Sequence, residues 1–542
     1  MLKWFKKIDI FLDKHVPILL LLALELLLRL PNLVEPYWYG DEAIYLTIGN
    51  AMRQGEKLYL QIIDHKTPII YYLAMVPNQF WFRVLNISCM MLATIIFYFL
   101  CKKLFSRNWV TYFSTLLFVL LTTLPALEGN IPNGELFVMF FVLVGTSFLM
   151  RTGLFNQFFA SESAIPGPEL AVTKREPLWL VLAGVFFGLG ILTKIPGLFD
   201  VVALLSIGWF SVLRTLPIFD RSRKNRTWMV EAREKIMATL LICVGIVLPI
   251  LYSIVYFVIR GSGKAYLDYG LLYNFHYADS WKLDLTNPLL AFSFTLMGKA
   301  AIVGAIIVVL SLSSRFIRKK FQFIATWFGL AFFATLLSNR PYPHYFLQLV
   351  PPFALLVAEL ISMIQESTVM HKVKQEAALH VGRVIESAVS VALLVCFIGV
   401  VIVLQLRPYQ TISYYTRFFA LLGNKITPIQ YRDSFDSLMS DNYAASSIIS
   451  KAPGNYLFIW GTDPGLYALS KKSPVGRFTV LFHIRDFGAE HETYLDFMKK
   501  APAYAVVVKN QDMPNEIKLY LEKNYIPNTN FEHFILWKRL PT

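Results

Sequence analysis

Charge is scarce in this chain. Of its 542 residues only 16% are Asp, Glu, Lys or Arg while 56% are hydrophobic, and the mean hydropathy is positive. A water-soluble surface is hard to build from that composition. Cysteine is scarcer: Cys89, Cys101, Cys243 and Cys396 lie in or beside apolar stretches with no CxxC spacing. That excludes a disulfide framework and a zinc ribbon, and leaves the four thiols as packing residues. A small-x-small cleavage site is missing after MLKWFKKIDIFLDKH and its apolar run, which Arg29 and Pro31 close instead. The segment therefore reads as a retained first span and not as a cleaved signal. No internal repeat is evident, which weighs against a transporter or flippase of lipid-linked saccharides, the chief rival class; such folds also place their charges at mid-membrane depth.

What the chain does have is long apolar segments, LATIIFYFL, FVMFFVLVGTSFL, IVGAIIVVLSL and VALLVCFIGVVIVLQL among them. Each lies in a stretch near the ~20 residues that cross about 30 Å of hydrocarbon. Spans are expected near 16–31, 83–100, 109–125, 135–150, 178–193, 197–213, 236–259, 292–313, 321–338, 345–365 and 385–406, about eleven in all. The +15 formal charge does not point to nucleic acid, because the basic residues gather in alternate short connections: KWFKK, CKKLFSR, TKRE, RSRKNR with REK, SSRFIRKK and HKVK. The positive-inside rule makes these cytoplasmic, with the N-terminus, in a multi-pass plasma-membrane protein. FNQFFASESAIPGPELAVTKRE reads as a flexible connector among them. An odd number of spans then sends residues 407–542 outside, where YLFIWG and AYAVVVKN read as buried strands and SFDSLMSDNYAASSIIS and NEIKLYLEKNY as helices. The expected organisation is a membrane domain over 1–406 and a small extracytoplasmic α/β domain over 407–542.

That topology also collects the rare charges at one face. In YWYGDEAIYLTIGNAMRQGEKLY, Asp41 and Glu42 open a segment with helical apolar spacing, read as an amphipathic helix along the interface. Asp41 can cap that helix, or face a cavity as a general base, and the two roles are compatible. Lys66 in IIDHKTPII precedes Pro68, where chain enters a helix; it can snorkel to headgroups or hold a lipid-linked phosphate. Glu135 opens a span after EGNIPN, at a depth where a carboxylate needs partners. Lys194 in LTKIPG joins two spans almost without a loop and likewise requires an anion. SNRPYPHYF places Arg340, His344 and Tyr345 at an outer span end, where a guanidinium fork suits phosphate and an aromatic interface belt is the plainer account. Glu25 and Arg29, four apart, can pair on the first span. Asp463 in WGTDPGLYALS reads as turn chemistry.

Taken in order, R-L-P, G-D-E-A-x-Y, K-x-P, N-G-E, L-T-K and R-P-x-x-H-Y resemble the GT-C glycosyltransferases, specifically the branch of dolichyl-phosphate-mannose-protein mannosyltransferases and lipid A aminoarabinose transferases. The resemblance implies a polytopic α-helical GT-C fold and an inverting transfer of a monosaccharide from a polyprenyl phosphate to an acceptor hydroxyl. It implies catalytic roles for Asp41, Glu42 and Glu135, and donor-phosphate binding by Lys66, Lys194, Arg340, His344 and Tyr345. Where the family has a double proline after its lysine, this chain has Thr67-Pro68. The implied partners are the lipid-linked sugar, membrane lipids and an acceptor lipid, glycan or protein. No metal or other cofactor is required, although clustered external carboxylates could take Mg²⁺ or Ca²⁺.

Overall fold

The computed structural model describes residues 2–159, 175–214, 227–370 and 377–541. The connector 160–174 and the basic stretches RSRKNR and HKVK lie outside those residues. Every stretch read as a span is helical: Leu2–Arg29, Gln79–Leu104, Asn108–Thr123, Gly134–Leu149, Glu176–Ile191, Gly197–Leu213, Thr227–Ile259, Leu296–Leu312, Lys319–Thr335, Val350–Met370 and Ala377–Val403. Not all are long enough to cross alone. Among the described residues, five helical segments meet the length and hydropathy needed, and a sixth if Gly134–Leu149 and Gly153–Phe159, bent by 84°, form one broken span. The shorter apolar helices, such as Asn108–Thr123 with 16 residues, reach only about 24 Å at 1.5 Å per residue. The expected count of eleven thus exceeds what length and composition support.

Small residues set the closest helix contact. A Cβ on Gly184 would sit 2.1 Å from Ile242 O, and one on Gly245 would sit 2.2 Å from Val181 O. The helices Glu176–Ile191 and Thr227–Ile259 can therefore meet backbone to backbone, the usual solution where lipid supplies no hydrophobic drive between helices. Glu25 and Arg29 do pair, at 3.3 Å, but Arg29 spends its other donors on Gly129 O and Thr122 O, both at 3.0 Å. It anchors the loop that follows the helix Asn108–Thr123.

The helix Gly40–Arg53 corrects one expectation. Glu42 through Gly49 and Ala51 are all buried, so it does not lie open on the interface. Its cover comes from the C-terminal part of the chain: Thr47 Oγ1 donates to Pro464 O at 3.3 Å, and Asn50 Nδ2 to Lys471 O at 3.3 Å. Nor is Asp41 the N-cap; Tyr39 holds that place, and Asp41 falls in the first turn.

The C-terminal part carries a five-stranded sheet of β1 Tyr456–Trp460, β2 Ser473–Pro474, β3 Tyr504–Val508, β4 Tyr525–Asn530 and β5 Phe534–Arg539, in the order β2-β1-β3-β5-β4. β1 pairs in parallel with β2 and β3, while β5 runs antiparallel to both β3 and β4. The apolar runs YLFIW and YAVVV become β1 and β3 because both of their faces are covered by helices such as Leu438–Ile449 and Glu490–Lys500.

Candidate active site

Interhelical loops, the ends of several apolar helices and the C-terminal part enclose a cavity of about 1500 Å³. Asp41, Lys66, Glu135, Lys194, Arg340, His344 and Tyr345 line it; Glu42 does not. Residues separated by three hundred positions therefore share one space.

Asp41 reaches the cavity from the first turn of its helix. Its Oδ2 lies 3.3 Å from Lys66 Nζ and accepts Tyr45 OH at 3.2 Å. Burial alone would raise this carboxyl, but the charges of Lys66, His344 and Lys194 more than offset it and hold the acid at about 2. Lys66 is also 3.8 Å from Asp64 Oδ2. Burial disfavours its ammonium, yet Asp41 and Asp64 outweigh that and push its pKa well up. A lysine between two carboxylates stays a cation, and its charge is available to an incoming phosphate that can compete with either.

Glu42 is the main departure from the expected catalytic set. Its carboxylate turns into the protein, taking Arg83 Nε at 2.8 Å, Arg83 Nη2 at 2.7 Å and Gln79 Nε2 at 2.9 Å. Both partners are almost fully buried, and this fork leaves Glu42 no access to substrate. Glu135 does face the cavity, but as the partner of Lys194, whose Nζ donates to Oε1 at 2.5 Å and lies 4.3 Å from the centre of the Tyr345 ring. The pair neutralises itself, so Lys194 is a weaker phosphate grip than a free ammonium would be.

His344 is oriented and not free. Its Nδ1 lies 2.6 Å from Glu128 Oε2, which also accepts Tyr39 OH at 2.6 Å, while Nε2 is buried without a partner. Arg340 donates to Ser280 Oγ at 2.9 Å and stacks over Tyr277 and Trp281, 4.4 and 5.4 Å from their centroids. Tyr345 OH is 3.1 Å from Tyr277 OH. The loop GSGKAYLDYGLLYNFHYADSW, with its π-helical turn Tyr266–Leu272, thus supplies the aromatic side of the cavity.

Two contributors were not singled out in the sequence: Asp64, and Glu128 as the residue that orients His344. Asp64 is fully buried, accepts Tyr71 OH at 2.6 Å and lies 3.0 Å from His65 Nδ1. The run Asp64-His65-Lys66 was its only signal. Asp64, His65 and His483 have ligand atoms within 4.8 Å of one another. Among the described residues this cluster has the donor set for a divalent ion, and two imidazoles with one carboxylate suit zinc better than Mg²⁺ or Ca²⁺. The adjacent carboxylates Asp41 and Glu42, which point apart, cannot hold it together.

The comparisons agree with this architecture. Residues 66–260 match the family described as dolichyl-phosphate-mannose-protein mannosyltransferase. The crystal structure of ArnT from Cupriavidus metallidurans bound to undecaprenyl phosphate aligns over 97% of this chain and 98% of that one, with TM-score 0.51 and 12% identity. The apo state of ArnT aligns over 96% and 97%, with TM-score 0.50 and 14% identity. No match to the chain is found among curated proteins. Over residues 66–260 the chain thus resembles that mannosyltransferase family, and along nearly its whole length it shares the fold of ArnT.

Proposed function

We propose that this protein moves a monosaccharide from a polyprenyl phosphate to an acceptor hydroxyl, with inversion, at the outer face of the membrane. The observation that carries the reading is the Asp41–Lys66 contact at 3.3 Å inside a cavity also lined by Lys194 and Arg340. One anionic proton acceptor and several cations in one enclosed space are what a single displacement at an anomeric carbon requires. ArnT, whose fold this chain shares, has been crystallised with undecaprenyl phosphate, which supports a donor of that chemical kind. The outer location rests on the charge asymmetry of the connections.

In this mechanism the acceptor oxygen attacks the anomeric carbon as its proton passes to Asp41. The bond from that carbon to the phosphate oxygen breaks, and the electron pair leaves with the prenyl phosphate. Lys66 and Arg340 hold the charge that develops there, in a partly dry site where such contacts are strong. Asp41 alone is a weak base at about 2. A donor phosphate that draws Lys66 toward itself removes the main influence keeping it so, and the carboxylate gains basicity when the substrate is in place.

Asp41→Asn keeps the size and removes the base. Expected is normal expression with sugar transfer from a polyprenyl-phosphate donor reduced by roughly 10²–10⁴-fold. Unchanged transfer would remove Asp41 from the chemistry and the reading with it.

A further inference from the structure

The two walls of the cavity differ in charge. Lys66, Lys194, Lys282, Lys299 and Arg340 line it from the membrane region and its loops, interleaved with Asp41, Asp64, Glu128 and Glu135. From the C-terminal part come Asp436, Asp463, His483 and Asp486, with neither lysine nor arginine among the described lining residues. A phosphate belongs on the first wall. The second would repel it.

Asp463 and Asn442 sit on that acidic wall, 5% and 1% exposed. Asp463 Oδ1 caps the helix Pro464–Ser470, accepting Leu466 N at 3.3 Å, and also accepts Asn442 Nδ2 at 3.0 Å. The second bond fixes which way the Asn442 amide faces. It leaves two orphans, Asp463 Oδ2 and Asn442 Oδ1, both buried and without a partner. Turn chemistry, the role that sequence assigns to Asp463, occupies only one of its oxygens. Buried acceptors left unpaired cost about 1–3 kcal/mol each, so something must repay their retention. Burial also pushes the Asp463 carboxyl up to about 6, against the pull of Asn442 and the Leu466 amide.

Both orphan atoms accept hydrogen bonds and neither donates. Their complement is therefore a group rich in O–H or N–H donors and free of negative charge. The place is right for an acceptor: Pro464–Ser470 rests on the helix that carries Asp41, through Thr47 Oγ1 to Pro464 O at 3.3 Å. Contact there is close, since a Cβ on Gly465 would lie 3.0 Å from Tyr37 O.

We propose that Asp463 and Asn442 form a second subsite in this cavity, which binds a non-anionic, hydroxyl-rich carbohydrate group and leaves phosphate to the opposite wall. The assignment deepens the function proposed above and rests on it only for the naming of this group as the acceptor.

The test reads binding, without turnover, so its failure is separate from that of Asp41 as base. Full-length protein in lipid nanodiscs is titrated by saturation-transfer NMR with methyl α-glucopyranoside and with methyl α-glucuronopyranoside, which differ in charge. Undecaprenyl phosphate serves as the probe of the cationic wall. The neutral pyranoside should bind the wild type at least about tenfold more tightly than the uronide, the worth of one charge-assisted hydrogen bond. Asp463→Asn and Asp463→Ser both retain an N-cap side chain; each should weaken the neutral pyranoside about fivefold or more and narrow its advantage over the uronide, with undecaprenyl phosphate binding unaltered. The subsite is overturned by no neutral-pyranoside binding to the wild type, by equal binding of the two pyranosides, by unchanged binding in both variants, or by a parallel loss of undecaprenyl phosphate affinity.

Discussion

At the scale of single residues, the first turn of the helix Gly40–Arg53 shows how two adjacent carboxylates can take opposite tasks. Neighbours on a helix point about 100° apart, so Asp41 meets Lys66 in the cavity while Glu42 meets Arg83 in the interior. Their variants should separate cleanly. Glu42→Ala leaves a buried guanidinium without its main counter-ion, and a loss of about 3–5 kcal/mol in stability is expected, visible as a large fall in melting temperature; Asp41→Asn should leave that temperature nearly unchanged. The pH dependence of Asp41 follows from its pKa, lowered from 3.8 to about 2. Its ion pairs stabilise the folded state fully above the unfolded value near 3.8 and lose that contribution as pH falls toward 2. Above pH ~4 the Asp41 carboxylate is ionised, so the acid limb of transfer should not come from it there. Lys66→Ala removes the largest opposing charge, and the Asp41 limb should then move upward into the measurable range of a pH–rate profile. An unmoved acid limb would mean that Lys66 does not govern Asp41. The order of motifs made Asp41, Lys66, Lys194 and Arg340 legible as one group. It could not say which member of the Asp-Glu pair faces the cavity, because that depends on Arg83, about forty residues downstream and in another helix.

At the scale of elements, the apolar stretches were legible because burial in lipid demands long uninterrupted runs, and each one is a helix. The helix Gly40–Arg53 was legible as a helix but not in its surroundings. Apolar spacing shows that a face is covered and does not say whether lipid or protein covers it. Here the cover includes Pro464–Ser470, more than four hundred residues away, and the short helix Ile69–Leu73 with the turn that follows it. That second contact depends on Gly49, where a Cβ would lie 2.2 Å from Ala74 O. Gly49→Ala gains helix propensity, yet the clash is with backbone and cannot be relieved by a rotamer. We expect a net destabilisation of about 1–3 kcal/mol, together with slower transfer, since any shift of this helix carries Asp41 off Lys66. A rise in melting temperature at full activity would show that Ala74 yields.

At the scale of the whole molecule, the cavity exists because the C-terminal part grips the loop that bears Lys66. Ile63 N donates to Arg477 O at 2.7 Å, and Ile63 forms an isolated parallel bridge with Phe478. Phe478 in turn stacks on Phe487, 5.2 Å between centroids, and is 3% exposed. His483 completes the contact, 3.2 Å from His65 Nδ1; burial and the nearby His65 and Lys66 hold it at about 3 despite the pull of Asp64, so it docks as the neutral imidazole. Lys66 thus stands three residues from a clamp that the membrane helices do not supply. Truncating the clamp at Phe478→Ala should cost about 3–5 kcal/mol locally without touching any cavity charge. The expected signature is faster hydrogen exchange at the amides of 58–66, Ile63 above all, with a lower transfer rate and an unchanged exchange pattern in the helix Gln79–Leu104. Protection of Ile63 equal to that of the wild type would mean that the loop holds Lys66 in place unaided, and that the C-terminal part acts on the acceptor alone.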